Sequence, residues 1–223
     1  MERRRERALR VALWLLLAGC ASHRPPLSDA LFNDDTGVLV PTERLASAPF
    51  TLVQRLHGKH GSEDLAFECV VQLAARKLTI LGMTRHSPRA FVIEQVGVDA
   101  HVEKFIVRDV LLEPIQLLYD LHRLLFRGLP APQRDGTHER LDHGQVVREL
   151  WRGGHIVQRS FHSLETFARL VVIDFEGAPA PVIAPRVRLE NLHYGYSLEI
   201  ANVEQRRLER GYSLDIEKLP TTP

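Results

Sequence analysis

The residues of this chain that could perform chemistry lack the spacing that catalysis or metal binding requires. The sequence has no Gly-x-Ser-x-Gly nucleophile motif, no Gly-x-x-x-x-Gly-Lys phosphate loop, no His-Glu-x-x-His and no Cys-x-x-Cys. Eleven histidines are present, but those close together in sequence fall in or beside predicted turns and form no convincing ligand set. The pattern favours a protein that is not an enzyme and that holds no cofactor or metal ion.

The N-terminus contains one of the two cysteines of the chain, Cys20, shortly after an apolar run. Five arginines in the first ten residues precede an apolar run that ends at Leu17 and is too short to span a bilayer. The sequence Leu17-Ala-Gly-Cys20 resembles the lipobox of bacterial lipoproteins. The resemblance implies that residues 1–19 are a signal peptide and that Cys20 carries fatty acyl chains such as palmitate. Residues 20–49 then form a lipidated N-terminus and a tether that can partly pack back on the domain.

Removal of residues 1–19 would leave a chain that is close to neutral. That segment has five arginines and two glutamates, so 24 of the 29 basic and 26 of the 28 acidic residues remain. Because no basic surplus is left, we expect no nucleic-acid partner. If Cys20 is lipidated, Cys69 has no intramolecular disulfide partner, and its alternation with apolar neighbours predicts a small buried side chain.

Residues 50–223 have the pattern of a single β-rich domain. Apolar residues alternate strictly over Leu65–Leu73, and similar segments predict nine or ten strands, with the fifth at His101–Val107 and the last at Leu208–Leu214. Short strands with tight connections favour an antiparallel sheet that has one apolar face. The segment Pro130–Gly144 is rich in Pro, Gly, Asp and His, so it is expected to be a long exposed loop.

One segment, Glu113–Leu129, has the period of a long helix. Its leucines recur along one face, whereas Gln116, Asp120, Arg123 and Arg127 share the opposite face. A proline suits the first turn, and a glycine followed two residues later by a proline supplies a stop. We therefore expect a two-faced helix whose apolar side covers the apolar face of the sheet.

Three stretches carry a resemblance to a known family: the lipobox-like motif, the run Phe67–Phe91 with Leu78-Thr-Ile-Leu-Gly-Met-Thr84, and Glu190-Asn-Leu-His-Tyr-Gly-Tyr-Ser-Leu-Glu-Ile200. Over residues 50–203 the chain resembles an uncharacterised family of bacterial lipoproteins that are often encoded beside aryl polyene biosynthesis genes. That family is similar in predicted architecture to the lipoprotein receptor LolB and its carrier LolA. The resemblance implies a mainly β fold, in which a curved, incompletely closed antiparallel barrel holds acyl chains beneath a covering helix.

Two functions remain open from the sequence. In the first, the half-barrel binds an acyl or polyene lipid for transport or localisation to the envelope, through apolar residues of the sheet and helix. Those residues are Phe67, Cys69, Val71, Leu78, Ile80, Phe91, Ile93, Leu118, Leu121 and Leu125. In the second, the same residues form a filled core, and the protein is a structural or interaction lipoprotein with an envelope protein as partner. A cavity of a few hundred cubic ångströms would favour the first.

The loop Thr84–Arg89 is expected at the rim of such a cavity. Its basic residues Arg85, His86 and Arg89 would either meet a carboxylate or lipid head group or form an ordinary solvated loop. At the N-terminus, Ala21 stands where many lipoproteins retained in the inner membrane have aspartate. The sequence therefore predicts an outer-membrane anchor that faces the periplasm.

Overall fold

The computed structural model describes residues 39–45, 49–74, 76–105, 112–130, 134–177 and 184–207, all within one compact unit from Gly37 to Pro223. The predictions for Cys20 and for a strand at Leu208–Leu214 lie outside these residues. The elements are a 3-10 turn at Thr42–Arg44, strands β1 Phe50–His60, β2 Glu63–Ala74, β3 Lys77–Thr84, β4 Ser87–Val96 and β5 Asp99–Lys104, helix α1 Pro114–Leu125, and strands β6 Gly136–Asp142, β7 Gln145–Arg152, β8 His155–Ser163, β9 Arg169–Glu176, β10 Arg186–Asn191 and β11 Tyr196–Arg207.

The eleven strands form one antiparallel sheet in the order β5-β4-β3-β2-β1-β11-β10-β9-β8-β7-β6. The chain builds a first meander from β1 to β5 and a second from β6 to β11, and the two meanders join where β1 pairs with β11. Strands β5 and β6 are the two edges, and α1 lies between them in sequence. The sheet is therefore open, and its helix connects its two edges.

Contacts of α1 require the sheet to curve strongly. The helix bonds to β4 through His122 and Gln95, whose side-chain atoms are 2.7 Å apart, and to β8 through Arg159, whose Nη1 is 2.6 Å from the Arg123 carbonyl oxygen. In a flat sheet the seven strand spacings from β4 to β8 would span about 34 Å. A helix is only about 10–12 Å across, so the two halves of the sheet must curl around it.

The concave face and the helix share one core. Leu52 and Leu56 of β1, Ile173 of β9 and Leu189 of β10 are buried there with Leu118 of α1. Period-two alternation places these strand residues on one face, and curvature brings them to the helix. The prediction of a mainly β fold, with a curved antiparallel sheet that is not closed and a covering helix, is confirmed.

Two local predictions were wrong. Seven residues of the expected loop Pro130–Gly144 form edge strand β6, since Thr137 to Leu141 pair with β7 despite their polar composition. The helix is shorter than Glu113–Leu129 and ends at Leu125. Its polar residues Asp120 and Arg123 are also buried, at 1% and 0% exposed, because the curled sheet surrounds the helix and supplies them with partners.

Candidate ligand cavity

An apolar cavity of about 280 Å³ lies beside the N-terminal end of α1, at the end of the sheet where the β1–β2 and β3–β4 turns are found. Its walls come from β2, from the β3–β4 hairpin and from the start of the helix. The lining residues are Asp64, Leu65, Ala66, Phe67, Thr84, Arg85, His86, Phe91, Leu112, Pro114 and Leu117. Since a water molecule takes about 30 Å³ in the liquid, the space corresponds to about nine water-sized groups.

Two phenylalanines form the inner wall of the cavity. The rings of Phe67 and Phe91 are 6.2 Å apart between centroids and meet edge to face at 68°, a favoured aromatic geometry. The ring of Phe91 lies directly over Gly82 on the neighbouring strand, where an added Cβ would be only 2.2 Å from the ring. The glycine in β3 therefore gives Phe91 the space to sit against the strand and shape the wall.

The mouth of the cavity carries both signs of charge. Arg85 and His86 are exposed in the β3–β4 turn, and Asp64 is exposed at the start of β2. The Asp64 carboxylate is 3.8 Å from the Lys59 ammonium group, so its charge is partly balanced. Arg89 does not line the cavity, and its guanidinium lies 4.5 Å from the centre of the Phe105 ring. The arrangement offers Arg85 and His86 to an anionic group at the mouth of an apolar space.

The structure places only part of the predicted apolar set at this cavity. Phe67 and Phe91 line it, whereas the interior beneath the middle of the helix is filled by seven residues that are at most 2% exposed. These are Cys69, Val71, Leu78, Ile80, Ile93, Leu118 and Leu121. Leu125 packs against the same core and is partly buried. The residues predicted for ligand binding therefore divide into two cavity residues and a packed core.

Sequence reasoning missed Leu65, Leu112 and Leu117 as cavity residues. Leu65 and Leu117 have the same period as the core residues beside them, so the pattern indicates which face they share but not where along that face a space remains. Leu112 precedes the helix and has no periodic signal. A cavity depends on how side-chain volumes fit together, which a pattern of apolar positions does not specify.

Asp120 is the centre of a buried polar cluster that joins the helix to β10 and β11. Its carboxylate accepts hydrogen bonds from Arg123 Nη1 at 2.7 Å, from Asn191 Nδ2 at 3.1 Å and from the hydroxyl of Tyr196. Burial raises the pKa of Asp120 to about 7, although the bonds from Tyr196 and Asn191 act to lower it. Burial also raises the pKa of Tyr196 well above its usual value. We call these four residues the Asp120 cluster.

His122 joins the helix to the segment before β1 and to β4. Its Nδ1 is 3.1 Å from the Val40 amide nitrogen, and its Nε2 is 2.7 Å from Gln95 Oε1. Because the amide N–H donates, Nδ1 must accept, so Nε2 carries the proton and donates to Gln95. Burial lowers the pKa of His122 to about 3, with a further contribution from the charge of Arg127. The neutral ring thus fastens residues 39–45 to the helix.

A second buried charge pair holds the C-terminal end of α1. Arg159 Nε donates to Glu149 Oε1 at 2.6 Å, while its Nη1 donates to the carbonyl oxygens of Arg123 at 2.6 Å and Leu124 at 2.9 Å. Glu149 also accepts from the Trp151 indole N–H at 2.9 Å. Helix ends leave such carbonyls without partners, and a cation there complements the helix dipole. These side chains and carbonyls are the Glu149 cluster.

Gly128 allows this arrangement. A Cβ at residue 128 would lie 2.1 Å from Arg159 Nη2 and 3.1 Å from Glu149 Oε1. The sequence pattern had indicated this glycine as a helix stop. Its close approach to a buried guanidinium gives it a second role, which is to admit the side chain that binds the helix end.

Neither a metal centre nor a membrane-spanning helix occurs among the residues that the structure describes. No group of three or more His, Cys, Asp or Glu side chains there could hold a metal ion. Within the same part of the chain, no helix is long and apolar enough to cross a bilayer.

The sequence matches the model of a family described as "Protein of unknown function (DUF3261)" over residues 51–204. The chain belongs to the DUF3261 family. The matched span runs from β1 into β11 and so contains the sheet, the helix and the cavity. None of the curated proteins has a matching sequence.

Solved structures with a similar arrangement have little sequence in common with this DUF3261 protein. A LolA superfamily protein from Nitrosomonas europaea has 13% identity and a TM-score of 0.49, and the match covers 81% of this chain and 93% of that one. A domain from Vibrio parahaemolyticus, described as an outer membrane lipoprotein-sorting protein domain, has 12% identity and a TM-score of 0.47 over 75% and 88%. A DUF1329 family protein from Desulfovibrio piger has 9% identity and a TM-score of 0.45 over 77% and 90%.

Proposed function

We propose that this protein is a lipoprotein, anchored by Cys20 to the outer membrane and facing the periplasm, that binds a single acyl or polyene chain. The cavity at the start of α1 is the observation that carries the proposal. Its wall residues Leu65, Phe67 and Leu117 offer apolar contact, and Arg85 lies at its mouth. An apolar space with a few polar groups at its opening is the usual form of a small-molecule site.

The size of the cavity limits what part of the ligand it can hold. A methylene group is about as large as a water molecule, so about nine carbons would fill the space. Their burial would contribute about 7 kcal/mol before the cost of association is subtracted. Seven kcal/mol alone would correspond to a dissociation constant of about 10 µM, and the cost of association weakens it to about millimolar, with longer chains extending out of the mouth.

Titration of the purified protein with a fluorescent fatty acid tests this binding. Leu117→Trp should fill the cavity and abolish saturable binding, whereas Val98→Trp is a matched control because Val98 is 55% exposed in the β4–β5 turn and does not line the cavity. The wild type and the control should bind equally. Equal binding by Leu117→Trp, or no binding by the wild type, would reject the cavity as a lipid site.

The anchor is tested separately. Metabolic labelling with a radioactive fatty acid should label the wild type and not Cys20→Ser, because the lipobox-like motif supplies the acylated thiol. Membrane fractionation of the wild type then distinguishes the outer from the inner membrane. Equal labelling of the two proteins would remove Cys20 as the attachment site.

A second function is favoured by the packing beneath the middle of α1. Cys69, Ile80 and Leu118 are all 0% exposed in the core, and this region leaves no room for a ligand. On this alternative the domain is a scaffold that binds an envelope protein, and the 280 Å³ space is a packing defect. Saturable fatty-acid binding that Leu117→Trp removes would exclude the alternative, whereas cross-linking to one envelope protein without lipid binding would support it.

A further inference from the structure

Three neighbouring turns at one end of the sheet present exposed apolar side chains. The turns are β6–β7, β8–β9 and β10–β11, and backbone hydrogen bonds link them sideways. The Leu164 amide donates to the Gly144 carbonyl at 3.0 Å, and the Leu192 amide donates to the Leu170 carbonyl at 2.9 Å. We call Leu141, Leu164, Phe167 and Leu192, which lie on these turns or next to them, the apolar rim.

The rim contains the two most exposed large apolar side chains among the residues that the structure describes. Phe167 is 74% exposed, Leu141 64%, Leu192 47% and Leu164 43%. Phe167 also has a positive φ of 56°, which is an outlier for an aromatic residue. Its amide donates to the Ser163 carbonyl at 3.0 Å, so the turn holds the ring outward in a defined position. A backbone outlier that displays a large apolar ring to solvent suggests a binding role.

The cavity opens at the same end of the sheet. His60, the last residue of β1, is paired with Tyr196, the first residue of β11, so the β1–β2 and β10–β11 turns are neighbours. The β1–β2 turn leads directly into the cavity residues Asp64 and Leu65. The rim and the cavity mouth therefore share one end of the half-barrel, with the rim on the second meander and the mouth on the first.

We propose that the apolar rim docks on the surface of a lipid bilayer. The rim residues lie at turns and not on a flat face, so they suit insertion between lipid head groups better than the broad contact of a protein interface, which needs about 800 Å² from each partner. Polar and charged His143, Glu165, Arg169 and His193 lie beside them in the sequence, and such groups remain in the head-group layer while an aromatic ring enters the interface.

The tether permits this orientation. The proposal rests on the Cys20 anchor proposed above, because the tether keeps the rim at high local concentration near lipid. Val40 is bonded to Gln95 and His122 near the β4–β5 turn, at the opposite end from the rim. The covalent geometry of the residues from Cys20 to Leu39 sets an upper limit of about 65 Å on their span, whereas eleven strand residues such as those of β1 span about 36 Å. The domain can therefore turn its rim toward the membrane that holds it, and a ligand could pass between bilayer and cavity without crossing water.

Depth-dependent quenching of tryptophan fluorescence tests the proposal. The lipidated protein is reconstituted in phosphatidylethanolamine and phosphatidylglycerol vesicles whose acyl chains carry bromine, with one exposed residue replaced by Trp. Phe167→Trp reports on the rim. Val98→Trp is the matched control, because Val98 is 55% exposed in the β4–β5 turn at the opposite end. The native Trp151 is 2% exposed and contributes the same background to both proteins.

We expect brominated lipid to remove most of the emission that the Phe167→Trp protein gains over the wild type, and to remove no more from the Val98→Trp protein than from the wild type. Quenching at residue 98 without quenching at residue 167, equal quenching at both, or quenching at neither would each overturn the rim as the docking face. The fatty-acid titration measures cavity binding in the absence of vesicles, so the proposed function and the docking face can fail independently.

Discussion

The C-terminal half of α1 is held by buried charges, whereas its N-terminal end borders a cavity. At the first, Arg159 and Glu149 are at most 8% exposed and bind the helix carbonyls, a Trp indole and each other. At the N-terminal end, Lys104 and Glu113 form an ion pair, and their side chains are 40% and 60% exposed. Leu117 and Pro114 line the cavity at this end.

This difference implies that the C-terminal end of the short helix is rigidly attached, whereas its N-terminal end can adapt. Breaking a buried charge pair leaves an unpaired charge in the interior and is costly, whereas exposed pairs contribute little. A side chain that borders a cavity also has fewer packing partners than a side chain in a filled core. The expected consequence is a helix that stays attached at Arg123 and Leu124 while its first turn can yield to a ligand.

Arg159→Ala should produce the largest effect on stability. The change leaves Glu149 buried without its cation and removes the donors of the Arg123 and Leu124 carbonyls, so we expect a loss of about 3–5 kcal/mol in the free energy of unfolding. Urea unfolding measures it. The double variant Arg159→Met with Glu149→Leu removes both charges and should recover part of the loss. A single-variant loss below about 1 kcal/mol would show that the cluster does not anchor the helix.

Truncation of adjacent leucines compares the filled core with the cavity wall directly. Leu118 is 0% exposed in the core, so Leu118→Ala should cost about 2–5 kcal/mol. Leu117→Ala should cost about 1 kcal/mol less, because Leu117 already borders an unfilled space. Leu117→Ala should also strengthen binding of longer fatty acids in the fluorescence titration. Equal costs and unchanged binding would mean that the cavity wall is packed as tightly as the core.

The sheet could be predicted from the sequence because its signals are local. Period-two alternation in Leu65–Leu73 follows directly from the pleat, and β2 was found there. The edge strand β6 could not be predicted in this way, because Thr137 to Leu141 are mostly polar. These residues form a strand because they pair with β7. A strand at an edge has less need of an apolar face.

The burial of the polar side of the helix could not be predicted for a different reason. Helical periodicity shows that Asp120 and Arg123 lie apart from the leucines, but it does not show that a sheet will curl far enough to cover both sides. Asn191 and Tyr196, which donate hydrogen bonds to Asp120, are 71 and 76 residues away from it in sequence. The sequence predicted that an apolar cavity could lie beneath the helix but not where. Its position at the first turn of the helix follows from how side-chain volumes fit together.

The Asp120 cluster should make stability depend on pH. The folded pKa of about 7 exceeds the ordinary 3.8, so protonation favours the folded state. This contribution is full below about pH 4 and is lost as the pH rises to about 7. Between pH 5 and pH 8 the free energy of unfolding should fall by about 2–3 kcal/mol from this group. Asp120→Asn should remove this part of the decline in urea titrations at both pH values, and an identical decline in both proteins would exclude Asp120 as its source.

The smallest effect is expected from Glu113→Gln, which neutralises the exposed ion pair with Lys104. Because both side chains are substantially solvated, the free energy of unfolding should change by about 1 kcal/mol or less. Local opening should respond more clearly, since this pair lies where the helix begins. We expect faster hydrogen exchange at the Leu118 amide, near the cavity, and no change at the Leu124 amide, beside the carbonyls that Arg159 binds. Uniformly faster hydrogen exchange along α1 would show that the helix opens as one unit. Its two ends would then not differ in local opening, despite their different contacts.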